Sequence, residues 1–340
     1  YKILSEGIDN DKDGFFNEDG EGGVHFNKNL SYNYQYFKPG TGEHPVSEME
    51  HRALLDFLYE QWNIFSVVTL GPDNNLSNPL KYNKSGASKR VVTSVLKNDA
   101  ILNTYLSEKY IKIIDDKNAP KSKIEGGGFF EWSYFHFGKL ALSTPGWWPP
   151  KFEGDTINKA PKNVKANYLK WAEEANVENA FVNWTSIQHP DFPNKKVEIG
   201  GFTPFKMNNP PYEKVAEISK KHTDFIVQLA EIQPNIKIEN VVTEKVSNKL
   251  TRITLDIYNA GYLPTHTDMG KKSRWLRKIK VAVQLNNNQE IISGKKIELL
   301  DSIDGDNFKT LTWLIQGAGS VTFEAGASHT GEASTSINLK

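Results

Sequence analysis

Near Asn235 the sequence changes its repeat, and no single architecture accommodates both halves. Beyond that residue, positions 236–242, 250–258, 279–285, 295–300, 310–315, 320–325 and 333–339 read as seven short strands divided by Asn-, Gly- or Asp-bearing turns. Seven strands in 105 residues predict an all-β immunoglobulin-like sandwich over residues 236–340.

Ahead of Asn235 the pattern alternates between helix and strand. Met49, Ala53, Leu54, Phe57, Leu58 and Trp62 recur at helical spacing behind a Ser47/Glu50 capping box, which predicts a helix over 47–62. Residues 64–69 (IFSVVT) form a short β-rich run of the kind found in buried strands. A helix is expected over 98–114. The aromatic-dense run 129–137 reads as core and is stopped by Gly138, and a strand follows over 140–144. Helical patterns return at 164–175 and 212–232, the latter ending before Pro234. Such alternation implies an α/β domain over residues 1–235 with a largely parallel sheet and flanking helices.

Composition narrows the function. A chain of 340 residues suits about two domains. Its 41 basic and 41 acidic residues cancel, so it lacks the broad positive field of a nucleic-acid binder, and no nucleic-acid partner is expected. No apolar run approaches the length of a membrane span, so none is expected. The absence of cysteine excludes disulfides, thiolate zinc sites and a cysteine nucleophile.

One motif carries metal chemistry. Asp9, Asp11, Asp13 and Gly14 spell D-x-D-x-D-G, in which alternate carboxylates converge on a hard cation and the glycine permits the sharp turn. The carbonyl of Phe15 would be the next ligand and Glu18 the acidic residue that follows. An EF-hand would need glutamate at position 12, where Gly20 stands, so the expectation is a shorter calcium-stabilised loop over 9–20, with a solvated acidic turn as the alternative.

Directly after this loop, NEDGEGGVHFNKNL (17–30) resembles a segment of the zinc carboxypeptidases of the carboxypeptidase A type, as do PVSEMEHRALLDFL (45–58), GGFFEWSYFHFG (127–138) and NWTSIQHPDFPNKKVEIGGF (183–202). The resemblance covers about residues 5–235, and a bacterial branch of that family carries an appended β-sandwich. It implies a carboxypeptidase-like mixed sheet with flanking helices whose N-terminal part is missing, and a family expectation of zinc and C-terminal peptide hydrolysis.

Carried over residue by residue, the resemblance gives a degenerate site. The family's Asn-Arg pair, which holds the peptide's C-terminal carboxylate, corresponds to Asn27 and Lys28, keeping the charge but losing the guanidinium fork. A zinc-ligating histidine expected after the strand at 64–69 is absent from TLGPDNNLSNPL (69–80), where Asp73 is the one hard ligand. The catalytic glutamate corresponds to Pro145, which can act neither as acid nor as base. The family's H-x-x-E motif lies upstream of the Asn-Arg pair. Here the sole H-x-x-E is His329 to Glu332, in the wrong order and in a strand region, where i and i+3 point to opposite faces. The other histidines show no ligand spacing, and a catalytic zinc needs three protein ligands. Two further features have divided readings. The glycines 126–128, ahead of an aromatic helix, are structural or line a cleft, and Trp147 and Trp148 are a buried loop anchor or a binding wall.

Three functions follow. The first is a non-catalytic carboxypeptidase-like protein that binds a peptide or protein ligand in its degenerate cleft. The second is a genuine metallocarboxypeptidase whose H-x-x-E lies on a preceding segment, and the third is a calcium-stabilised structural or adhesion module. The first two require another polypeptide to complete the N-terminal part of the sheet, since a raw edge would otherwise be exposed. A calcium loop works where calcium is about millimolar, so an extracytoplasmic setting (periplasm, cell surface or secreted) is expected.

Overall fold

The computed structural model describes residues 2–4, 7–14, 16, 23–115, 118–122, 126–155 and 159–340. The amphipathic run predicted at 47–62 forms α1 (Met49–Glu60), which buries His51, Leu55 and Leu58. Ser47 does not cap it. Its hydroxyl donates to the Glu48 carboxylate (2.6 Å) and accepts from Asn29 Nδ2 (3.0 Å), so Glu48 occupies the N-cap without a side-chain cap bond. Then come β1 (Ser66–Leu70), a single turn α2 (Lys84–Ala87), α3 (Lys97–Ile114), α4 (Phe129–Phe135) and β2 (Leu140–Thr144). Gly138, at φ +70°, closes the chain after α4, as its place behind the aromatic run suggested. Next are α5 (Val164–Glu174), capped by Asn163, a hairpin of β3 (Phe181–Ile187) and β4 (Val197–Phe202), and α6 (Tyr212–Glu231).

The sheet expected in this half is much reduced. Among the described residues β1 and β2 form a parallel two-stranded ladder, while β3 and β4 pair only with each other. Helices plus two small two-stranded sheets therefore precede residue 236 among the described residues. The aromatic run is core: Phe130, Trp132, Tyr134 and Phe137 are all buried, and Trp132 stacks on Phe137 with centroids 5.1 Å apart.

The C-terminal part is an all-β sandwich of eight strands: β5 (Ile236–Ser247), β6 (Leu250–Asn259), β7 (Ile279–Gln284), β8 (Glu290–Ser293), β9 (Ile297–Leu300), β10 (Asn307–Gln316), β11 (Gly319–Ala327) and β12 (Gly331–Leu339). A short helix, α7 (Asp268–Ser273), interrupts the connection between β6 and β7. One sheet runs β5-β6-β10-β8 and the other β12-β11-β7-β9. Alternate residues point inward, as strand geometry demands: Ile253, Leu255 and Ile257 from one sheet meet Ile279, Val281, Val283, Val321 and Phe323 from the other. Each such side chain contributes about 2 kcal/mol of burial. The expectation of seven strands missed β8, whose four residues are mostly polar or exposed.

The two halves share a core. Phe65, Leu76, Leu106, Leu140, Leu142, Phe225 and Leu229 pack in one cluster with Leu263 and Leu276 from the β6–β7 connection. Asp99 of α3 accepts from the backbone amides of Asp268 (2.7 Å) and Met269 (3.0 Å) and from Tyr134 Oη (2.6 Å), which anchors the N-terminus of α7. Thr267 Oγ1 donates to the Gly138 carbonyl (2.9 Å). No helix among the described residues is long and apolar enough to cross a membrane. The chain exposes 21,199 Å², half as much again as the roughly 14,000 Å² of a compact protein of its mass.

Candidate functional site

Asn27 and Lys28 lie in a 3₁₀ turn, Phe26–Lys28, both half-buried. The following segment pairs with the glycine turn: Leu30 N donates to the Gly127 carbonyl (2.9 Å) and Gly127 N to the Tyr32 carbonyl (2.8 Å). Gly126 and Gly127 have φ of +86° and +75°, and a Cβ on Gly127 would overlap the Lys28 carbonyl, so two successive glycines are required there. Asn27 Oδ1 accepts from Phe129 N (3.2 Å), so this side chain fastens the start of α4. The structural reading of the glycines thus holds, and they also frame a polar niche.

Two carboxyl groups occupy that niche. A methyl group on Gly128 would lie 3.4 Å from Glu131 Oε2, 3.8 Å from the Asn27 carbonyl and 3.9 Å from Asp73 Oδ2, so all three oxygens flank one point. Asp73 and Glu131 are each 5% exposed. Burial pushes Glu131 up to about 7, the adjacent charge of Asp73 adds to it, and the backbone amides of Gly128 and Gly126 on its carboxylate oppose the shift. Burial likewise pushes Asp73 up to about 6. Asp73 Oδ1 is buried and finds no hydrogen-bond partner. Chemically this is a pair of buried carboxyl groups that hold protons, and so can donate, up to near neutral pH and that accept from a cationic or donor group when ionised.

The rest of 69–80 is structural. Asn75 bridges the outer edge of β2, its Oδ1 accepting from Ser143 N (2.7 Å) and its Nδ2 donating to the Ala141 carbonyl (2.9 Å). Asn74 Nδ2 donates to the Pro120 carbonyl (2.7 Å). Pro145 follows β2 directly, half-buried. Trp148 is buried, and Trp147 packs against Trp171 at 6.0 Å beside Phe152 and Tyr168, so this pair is a loop anchor rather than an exposed wall.

His329 and Glu332 do not converge. His329 is buried, donates through Nε2 to the Thr265 carbonyl (2.9 Å) and stacks on Phe65, whereas Glu332 is exposed. Instead His329 meets His266 edge to face at 5.2 Å, a pairing that sequence separation concealed. His266 donates through Nε2 to the Arg277 carbonyl (2.9 Å).

In the acidic loop one oxygen each of Asp9, Asp11 and Asp13 lie within 4.8 Å of one another. Asp9 and Asp11 both accept from Asp13 N (3.1 Å each), and Asp9 also accepts from Gly14 N (2.9 Å). Oxygens on opposite sides of a calcium ion stand at most about 5 Å apart, so the group is the right size. Phe15 and Glu18, the other expected ligands, lie outside the described residues. The loop rests on the turn after β3, where His189 Nε2 donates to the Gly7 carbonyl (3.0 Å).

Among known proteins, the family model "Domain of unknown function (DUF8731)" matches residues 235–338. No curated protein matches the chain. Among solved structures, the chain is similar to the GAE domain of GGA2p from Saccharomyces cerevisiae at 15% identity, covering 31% of this chain and 90% of that one with a TM-score of 0.24. It is also similar to the CARDB domain of a Pyrococcus furiosus protein at 16% identity, covering 31% and 93% with a TM-score of 0.20. A third likeness is to DesR, a β-glucosidase from Streptomyces venezuelae, at 13% identity, covering 32% of this chain but 15% of that one, with a TM-score of 0.18. At scores this low the likenesses add nothing to the strand pairing already described.

Proposed function

We propose that this chain is the later part of a carboxypeptidase-like protein whose cleft binds a peptide or protein ligand without cleaving it. The observation that carries the reading is the niche of Asn27, Asp73 and Glu131 around Gly128, at the place where the resemblance puts the family's cleft. Its oxygens accept or attract, but neither the expected histidine after β1 nor a general base at Pro145 is present. Asp73 and Glu131 alone fall short of the three ligands of a catalytic zinc, so no zinc step is assigned. The sandwich, with β5-β6-β10-β8 facing β12-β11-β7-β9, supports an immunoglobulin-like reading in its two facing antiparallel sheets, while the order in which β8 and β9 join those sheets departs from that fold. We further propose that another polypeptide completes the N-terminal part of the sheet, in keeping with the two-stranded ladder that β1 and β2 form among the described residues.

The test is titration calorimetry with peptides bearing cationic C-terminal residues, alongside an assay for released C-terminal amino acids with and without added zinc. Binding without release is expected; zinc-dependent release would favour the metallocarboxypeptidase reading. We assign the acidic loop to calcium, which suits an extracytoplasmic setting. Calcium should raise the thermal midpoint of the parent but not of the Asp11→Ala/Asp13→Ala variant, and a midpoint indifferent to calcium in both would remove the assignment.

A further inference from the structure

Charge is balanced over the whole chain but not along it. Residues 74–98 carry five basic side chains and no acidic one, and residues 268–280 carry six against the single carboxylate of Asp268. The fold brings these two stretches together, because the Asp99 carboxylate in the first turn of α3 holds the amides of Asp268 (2.7 Å) and Met269 (3.0 Å) at the start of α7. Pinned in this way, Lys97 of α3 and Lys271 and Lys272 of α7 line one surface pocket of about 450 Å³.

Size, lining and charge together define what the pocket takes. Its volume falls within the roughly 300–1,000 Å³ of small-molecule sites. Part of its lining is apolar, supplied by Tyr82, Ala87 and Leu96. Its charge is uncompensated: Asp268 is the one carboxylate in the lining and is engaged by Lys271 (3.1 Å), whereas Lys97 and Lys272 form no ion pair among the described residues. Two positive charges are left over in the lining, and the exposed Lys84, Lys89 and Arg90, on and just after α2, add to the field. Like charges gathered in one concavity repel one another and raise the local concentration of anions, so an anion seated there relieves the repulsion.

We propose that this pocket binds a small phosphate monoester, with its phosphate held by Lys97 and Lys272 and its organic part against Tyr82, Ala87 and Leu96. A phosphate monoester carries about −1.5 to −2 charges at pH 7, which matches the surplus of the lining, and lysine ammonium groups bind phosphate as point charges. A sulfate monoester or a carboxylate brings a single charge and leaves part of the surplus unmet. The confined volume favours a small molecule over a polyanionic strand, whose charges continue beyond the reach of one pocket. The site shares no residue with the carboxyl niche, and the proposal does not rest on the cleft reading.

The test is titration calorimetry of the full chain with phenyl phosphate at low ionic strength, with phenyl sulfate and inorganic phosphate as comparisons. Phenyl phosphate should bind at least about tenfold more tightly than either, since the sulfate lacks one charge and inorganic phosphate lacks the apolar body. Lys97→Gln and Lys272→Gln should each weaken it about fivefold to tenfold, while Lys309→Gln, on an exposed position of β10, should change nothing. Asp268→Asn removes the opposing charge and should tighten binding severalfold. Affinity should fall as pH drops below about 6, where the phosphate loses its second charge. No binding of phenyl phosphate up to about 10 mM, equal affinity for the three probes, or affinity unchanged in both lysine variants would each overturn the proposal. Binding of duplex DNA or heparin without binding of phenyl phosphate would also overturn it, by showing a surface for polyanions in place of a pocket for a small molecule. Glu131→Gln should leave phenyl phosphate binding unchanged while weakening cleft binding, which separates failure here from failure of the cleft reading.

Discussion

Glu131 stands alone as the acidic residue in the aromatic run 129–137, and the fold buries it against Asp73. A carboxyl held up to about 7 has its folded pKa above its unfolded value, so its contribution to stability is complete below the unfolded pKa and is lost as pH rises through 7. Glu131→Gln keeps an oxygen for the amides of Gly126 and Gly128 but carries no charge. It should match the parent near pH 4 and exceed it by on the order of 3 kcal/mol above pH 7, read as the difference between urea midpoints at each pH. A variant no more stable than the parent at pH 8 would mean the pair is not strained. Gly127→Ala should act oppositely at every pH, costing about 2 kcal/mol or more, because the residue is left-handed and its Cβ meets the Lys28 carbonyl. The sequence offered the glycines, Asn27 and Asp73. The role of Glu131 was hidden because its partner lies 58 positions away, and only an isolated charge among aromatic residues hinted at it.

At the scale of elements, helices long enough to show their period were legible: α1, α3, α5 and α6 fall within two residues of expectation. Elements defined by distant partners were not. The connection between β6 and β7 contains a six-residue helix, too short for periodicity to reveal, yet it joins the two halves. Asp99 does the joining. Its carboxylate receives two backbone amides of α7 and the Tyr134 hydroxyl in a buried setting, and burial rather than those bonds dominates its raised pKa. Asp99→Ala leaves two amides and a hydroxyl unpaired and should cost on the order of 3–5 kcal/mol, whereas Tyr134→Phe should cost about 1 kcal/mol. Denaturant unfolding followed by tryptophan fluorescence measures both. Equal small losses would show that α7 is held by packing alone. The sheet of the first half failed expectation for a related reason: local pattern identifies a strand but not its neighbours, and among the described residues β1 has a neighbouring strand on one side only.

For the whole molecule, the change of repeat at Asn235 marks where the architecture changes but not where the core ends, since Leu263 and Leu276 pack with Phe65, Leu140 and Phe225. Unfolding should therefore be a single cooperative transition, and acid should drive it from the junction. His266 and His329 face each other there, beside Lys139, which is 1% exposed with its Nζ donating to the Trp275 carbonyl (3.2 Å). Burial holds both histidines down at about 4, helped in His329 by the charge of His266 and in both by that of Lys139. The folded pKa is depressed, so the unfolded chain binds protons first. Stability should then fall as pH drops from the unfolded value near 6.5 toward 4, by on the order of 3 kcal/mol for each independent histidine. In the same window the carboxyl pair shifts stability the other way, so the comparison must be between variant and parent. His329→Gln should flatten the acid limb by the amount owed to one histidine while leaving the curve above pH 7 parallel to that of the parent. Probes in both halves, Trp132 before the change of repeat and Trp313 after it, should report one shared midpoint at every pH. Two midpoints separating in acid would show that the junction yields before either core does.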